Sequence, residues 1–222
     1  MNSICFFDMD QTLIAGNSGV SFMRYSFRRG KTTSWKVLKS IINYFRYRYD
    51  LLNMERVYLD SLRPLIGVRE EDLIQFCQEW FEDSVRNLIY PEAQRFVRAH
   101  LSRGERVAII SNATTYAVNP LAQYLSVPHV LATQLEVRRG IFTGNYLEPL
   151  CFRQGKVFWA EKFAGELGAE IDQSTFYTDS ITDLPLLERV GNPRIVNPDP
   201  KLRILAKKKG WPIMDFSPRK GR

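Results

Sequence analysis

From Pro91 onward, short apolar runs alternate with amphipathic helical patterns, and no other feature of the chain restricts its fold so tightly. "RVAIIS" (106–111), "STFYTD" (174–179), "RIVNP" (194–198) and "WPIMDF" (211–216) read as strands. A helix opens at Pro91, carries Ala93, Phe96, Val97 and His100 on one face, and stops at Gly104. Thr114 or Thr115 caps a second helix with Val118, Leu121 and Leu125 inward. Lys156 to Gly168 is a third, with Val157, Ala160, Ala164 and Leu167 on one side. "ITDLPLLERVG" is a short helix, and "DPKLRILAKKKG" a helix with a basic last turn. The alternation predicts an α/β fold, a Rossmann-like three-layer core with a mostly parallel sheet covered on both faces. "HVLATQLEVRRGIFTGNYLEPLCF", with Gly140 between two alternating runs, reads as a hairpin.

One more apolar run, Ile4 to Phe7, stands alone near the N-terminus and belongs to the same sheet. Between it and Pro91, Gly and Pro are sparse and the pattern is helical. Trp35, Leu38, Ile42, Phe45 and Tyr49 form one stripe, and Leu73, Cys77 and Trp80 share a face in a helix over Arg69 to Asp83. The expected organisation is a core of residues 1–13 and 91–222, with an all-helical cap, residues 14–90, inserted after the first strand. The 222 residues, 45% hydrophobic and 25% charged, suffice for one domain plus such an insertion. No apolar run approaches the roughly 20 residues that span a bilayer, and the N-terminus does not read as a signal peptide. Cys5, Cys77 and Cys151 lie far apart among apolar neighbours, which points to reduced thiols and a cytoplasmic protein.

The net charge of +7 is uneven. Residues 22–58 and 201–222 each carry an excess of seven positive charges, so the rest of the chain is acidic. The basic cap segment either lines the entrance for a phosphorylated substrate or makes peripheral contact with an anionic membrane, and no nucleic acid is expected.

In an open parallel sheet, ligands bind beyond the carboxyl ends of the strands. There the first strand delivers Asp8 and Asp10, the second Ser111 and Asn112, and a later one Asp179 with Asp183 four residues on. Lys156, at a helix start, supplies a cation near the same edge. Such a set suits phosphoryl transfer: a carboxylate attacks phosphorus and forms an aspartyl-phosphate. Asp8, Asp10 and Asp179 offer the hard oxygen ligands that Mg²⁺ takes, while Ser111, Asn112 and Lys156 hold the phosphate oxygens.

"DMDQTL" resembles the DxDxT signature of the haloacid dehalogenase superfamily. "SN" at Ser111 resembles its second motif, Lys156 its third and "YTDSITDLPLLE" its fourth. A helical insertion directly after the first motif is similar to the C1 cap of subfamily IB, which contains the phosphoserine phosphatases. The resemblance implies Asp8 as nucleophile, and Asp10 as general acid and then base, ligating Mg²⁺ through its backbone carbonyl. It further implies Asp179 as a direct metal ligand, Asp183 as outer-sphere support, and Thr12 as a residue that steadies the loop. Two departures stand out. "IAGNSG" lacks the glutamate that grips the substrate ammonium in phosphoserine phosphatases, which disfavours phosphoserine and leaves histidinol phosphate and others open. Gln11 replaces a small residue, often Gly, inside the motif. The function expected is Mg²⁺-dependent hydrolysis of a small phosphate monoester. A phosphotransferase or mutase on the same fold, and a basic binding module that kept the fold, are the alternatives.

Overall fold

The computed structural model describes residues 3–32 and 54–217; the stripe from Trp35 to Tyr49 lies outside them. Six strands form one sheet in the order β3-β2-β1-β6-β7-β8, and every neighbouring pair is parallel. They are β1 (Ile4–Phe7), β2 (Arg106–Thr114), β3 (His129–Thr133), β6 (Thr175–Thr178), β7 (Asn192–Val196) and β8 (Ile213–Met214). Of "WPIMDF" only Ile213 and Met214 pair into the sheet.

The period of two along each strand divides the core into two layers. Cys5, Phe7, Val107, Ile109 and Tyr177 point to one face, where α4 (Pro91–Ser102) and α5 (Thr115–Leu125) bring Ala93, Val97, Val118 and Leu121. Ile4, Phe6, Ala108, Ile110 and Phe176 point to the other, against α6 (Gln154–Glu166), α7 (Leu184–Leu187) and α8 (Pro200–Lys209). Helices on both faces of a parallel sheet make the expected three-layer α/β core. Strand order extends from β1 in both directions, through β2 to β3 and through β6 to β8. The switch point is therefore β1, and a crevice opens beyond its carboxyl end.

The segment between β1 and α4 is helical where it is described: α1 (Ser18–Arg28), α2 (Met54–Leu62) and α3 (Glu70–Trp80). The helix expected to reach Asp83 ends at Trp80 and runs into a wider turn over Phe81–Val85. The chain enters and leaves this segment side by side, with Ala15 N–H donating to Leu88 O (2.7 Å) and Tyr90 N–H to Leu13 O (3.0 Å).

The expected hairpin is shorter than the run that suggested it. His129–Thr133 joins the parallel sheet beside β2 through backbone pairing. Only β4 (Leu135–Arg138) and β5 (Ile141–Tyr146) pair antiparallel. Arg139 and Gly140 both have positive φ (52° and 74°), the two-residue turn whose twist matches a tight hairpin. This hairpin joins the helical segment: Leu135 and Phe142 are buried with Leu62, Leu73 and Cys77. Glu70 N–H donates to Gly140 O (2.8 Å) and Phe142 N–H to Val68 O (3.0 Å). A strand edge that would otherwise be open is thereby partly satisfied. Among the described residues no helix is long and apolar enough to cross a membrane.

Phe142 is 2% exposed at the centre of that contact. Phe142→Ala is expected to cost about 3–5 kcal/mol in urea unfolding. A loss below about 1 kcal/mol, the scale of a surface change, would show that the hairpin is not anchored there.

Candidate active site

Four strand-end or helix-start segments converge at the crevice. Asp8 directly follows β1, and its N–H donates to Tyr177 O (2.9 Å), so the neighbouring strand fixes its backbone. Lys156, in the first turn of α6, is buried and bridges two carboxylates, with Nζ 2.6 Å from Asp8 Oδ1 and 2.8 Å from Asp183 Oδ2. Thr178 Oγ1 donates to the same Asp183 oxygen at 2.6 Å. Burial works against the lysine's charge. Asp183 and Asp8 outweigh it and hold its pKa above the ordinary lysine range. For Asp8 burial is the larger effect and raises the carboxyl, with Lys156 opposing.

What seats Lys156 is the residue before it. A Cβ on Gly155 would lie 1.7 Å from the Leu150 carbonyl oxygen, so only glycine lets the two backbones approach. The expectation that Lys156 meets the phosphate by charge is sharpened accordingly. Its ammonium already serves Asp8 and Asp183, and it is the bridge that holds the nucleophile candidate in place. Asp183, expected as outer-sphere support for a metal, contacts Lys156 and Thr178 here.

Asp10 is held differently. Its Oδ1 accepts from the Ser18 N–H (2.9 Å), and its Oδ2 from Asn17 Nδ2 (2.8 Å) and Ser18 Oγ (3.1 Å). Burial pushes its pKa up to about 6, although the Ser18 hydrogen bonds pull the other way. Ser111 is buried and its Oγ accepts from Ala113 N–H at 3.2 Å. The Asn112 carbonyl accepts from Thr133 Oγ1 at 3.2 Å, and α5 starts three residues later with Thr114 as its N-cap. Asp179 is buried after β6, and its carbonyl accepts from Asp199 N–H (2.8 Å). Asp8, Asp10, Ser111, Asn112, Lys156, Asp179 and Asp183 all line one cavity beneath the helical segment. Arg29 and Lys31 from the basic segment line it as well, and Arg29 pairs with Glu79.

Thr12 lies buried in the turn after β1. Its Oγ1 is buried and finds no hydrogen-bond partner among the described residues, and the turn is closed by backbone bonds from Leu13 and Ile14 N–H to Met9 O. The cysteines are free, and burial pushes the Cys77 and Cys151 thiols up to about 12, so neither supplies a thiolate. His100 bonds Glu105 and Tyr177 Oη below the sheet, away from the cavity, and is structural. Asn17, Ser18, Thr178 and Gly155 carry no signal in the sequence that points to these contacts. An Asn-Ser pair opening a helical run marks an N-cap, but not the bond to Asp10.

The donor set fits a hard divalent cation of the Mg²⁺ type. At the strand ends the Asp8, Asp10, Asp179 and Asp183 carboxyls lie near one lysine, an excess of acidic groups that a cation would offset. Among the described residues no three His, Cys, Asp or Glu side chains converge enough to enclose a metal alone. Because the Asp10 side chain is occupied by Asn17 and Ser18, the Asp8 and Asp179 carboxylates and the Asp10 carbonyl are what the site could offer. Mg²⁺ is held in that way, with waters and a substrate phosphate completing its shell.

The haloacid dehalogenase-like hydrolase model matches residues 5–188, and the chain belongs to that family. A probable phosphatase from Mycobacterium tuberculosis is 33% identical over 217 residues, which is 96% of this chain and 75% of the relative. A histidinol-phosphatase from Neisseria meningitidis is 29% identical over 221 residues, 97% of this chain and 100% of the relative. The crystal structure of a protein with unknown function from Bordetella pertussis Tohama I superposes with a TM-score of 0.88 at 28% identity, covering 97% of this chain and 99% of that one. A phospho-aspartyl intermediate analogue of phosphoserine phosphatase superposes with a TM-score of 0.69 at 19% identity, covering 96% and 92%, a likeness of fold. The family and the site together define a phosphoric monoester hydrolase.

Gly155→Ala is expected to displace Lys156 and lower kcat/KM roughly 100-fold, the penalty typical of ångström-scale misplacement. Circular dichroism checks the fold, and wild-type turnover would refute the packing argument. A pH effect follows from Asp10. Its folded pKa lies above that of the unfolded chain, so the folded state retains a proton that the unfolded state releases. Stability of the metal-free protein therefore falls as pH rises from about 4 toward 7. Because water reaches part of the Asp10 carboxyl, the effect is on the order of 2 kcal/mol. Asp10→Asn should gain that much on wild type across the interval in urea melts, and parallel curves would contradict the assignment.

Proposed function

We propose that this protein hydrolyses a small phosphate monoester in two steps through an aspartyl-phosphate on Asp8. The observation that carries the proposal is the buried Lys156 bridge between Asp8 and Asp183 at the mouth of β1. It opposes the protonation that burial favours on Asp8 and aims that carboxyl where a phosphoryl group can be attacked. In the first step an Asp8 oxygen forms a bond to phosphorus while the bond to the alcohol oxygen breaks, and Asp10 gives that oxygen its proton. In the second, Asp10 takes a proton from water as the water oxygen displaces Asp8. Ser111 and Asn112, at the end of β2, bind the phosphate oxygens, and the Lys156 charge offsets the anion that arrives. Bound Mg²⁺, held by Asp8, Asp179 and the Asp10 carbonyl, supplies positive charge to a phosphate that the carboxylates would otherwise repel.

We take residues 14–90 as the cap and residues 1–13 with 91–222 as the catalytic core. The hairpin β4–β5 travels with the cap, whose closure excludes water from the first step. Buried free thiols suit a cytoplasmic setting. Asn17 stands in "IAGNSG", where a carboxylate would be needed to pair a substrate ammonium, and this lowers phosphoserine as a substrate. Histidinol phosphate is the first metabolite to test, given the relative of that name over its whole length.

The expected outcome is turnover of p-nitrophenyl phosphate with Mg²⁺ and none with excess chelator. Asp8→Asn should reduce kcat by at least roughly 10⁴-fold, as loss of a nucleophile does. Appreciable Asp8→Asn turnover would end the nucleophile assignment. Phosphate appearing on a second alcohol instead of water would make the enzyme a transferase.

A further inference from the structure

We infer that Asn17 and Ser18 are positioning residues that orient the Asp10 carboxyl and leave only its Oδ1 free to carry the proton exchanged with substrate. The inference rests on the reading of Asp10 as general acid and base. A carboxylate has about four lone-pair sites. Among the described residues three are taken: both on Oδ2, by Asn17 Nδ2 and Ser18 Oγ, and one on Oδ1, by the Ser18 N–H. The remaining site is on Oδ1, and Asp10 lines the substrate cavity. In the first step the proton on Asp10 Oδ1 passes to the leaving oxygen as its bond to phosphorus breaks, and Asp10 keeps the electron pair. In the second, water returns a proton to Oδ1 as its oxygen bonds to phosphorus and Asp8 departs as a carboxylate.

The orientation of the Asn17 amide follows from its neighbours. Its Oδ1 accepts from Val20 N–H at 2.9 Å as the N-cap of α1, so its Nδ2 must face Asp10. Gly19 makes room, since a Cβ there would lie 3.3 Å from the Asn17 oxygen. One side chain thus starts the first cap helix and aims the general acid. Tilting α1 away from the core strips donors from Asp10, which ties proton transfer to cap position.

The two roles of Asn17 can be separated. Serine caps a helix about as well as asparagine but cannot reach Asp10 with an amide N–H, so Asn17→Ser keeps the cap and removes the donor. Ser18→Ala removes the hydroxyl, and Ser18→Thr restores it. The readout is kcat/KM across aryl and alkyl phosphates of increasing leaving-group pKa. General acid catalysis is worth roughly 10²–10⁴-fold and matters most for poor leaving groups. Asn17→Ser and Ser18→Ala should each lose roughly 10-fold or more on an alkyl phosphate and much less on p-nitrophenyl phosphate, with Ser18→Thr close to wild type. A loss equal across the series, or none, would overturn the inference. Asp10→Asn is the control. If it steepens the leaving-group dependence and the Asn17 and Ser18 variants do not, only the positioning role falls. If Asp10→Asn leaves the slope unchanged, the general-acid reading falls and takes this inference with it.

Discussion

The Lys156 bridge sets conditions that much of the core exists to meet. Two carboxylates and one ammonium, all nearly dry, are expensive to desolvate, and their attraction offsets the cost only when geometry and hydrogen bonding are complete. Completion comes from three separate parts of the chain. β1 holds Asp8, Thr178 at the end of β6 adds a second donor to Asp183, and Gly155 presses against the Leu150 carbonyl to bring Lys156 within reach. Losing the lysine would strand two buried charges.

The two acids of the first motif are two residues apart, yet they meet different surroundings. Burial raises both carboxyls, Asp8 to about 7 and Asp10 to about 6. What differs is the partner that opposes it: a buried cation beside Asp8, and neutral donors at the start of α1 beside Asp10. That difference is generated by which element each side chain touches.

The fold was legible wherever pattern and chemistry coincide. A buried apolar strand that runs straight into carboxylates would strand unpaired charge in the core unless its end opens on a site, so β1 and β6 were readable together with their acids. "HVLAT" pairs with β2 through backbone bonds that no side chain announces, while Gly140 marks a turn that gives the whole run the pattern of one long hairpin. At Thr12 the resemblance implies a residue that steadies the loop; the structure shows its hydroxyl buried in a turn that backbone bonds close, a detail that spacing does not encode. The donors on Asp10 were invisible for a third reason: they depend on how α1 leaves the loop, a three-dimensional angle that spacing does not encode.

Gln11 shows why the loop tolerates a residue that its motif usually keeps small. Its φ of 55° is left-handed, a conformation that costs a residue with a Cβ roughly 1–2 kcal/mol and glycine nothing. Here the side chain contributes in return: Gln11 Oε1 accepts from Tyr90 Oη at 3.2 Å. Its backbone carbonyl, which any residue would offer, accepts from Asn197 Nδ2 at 3.0 Å. Tyr90 is the residue whose N–H closes the exit from the helical segment onto Leu13, and Asn197 follows β7. Glycine would relieve the strain but leave the Tyr90 hydroxyl without this acceptor. Glutamine therefore exchanges local backbone ease for a tether between the turn after β1 and the exit from the helical segment.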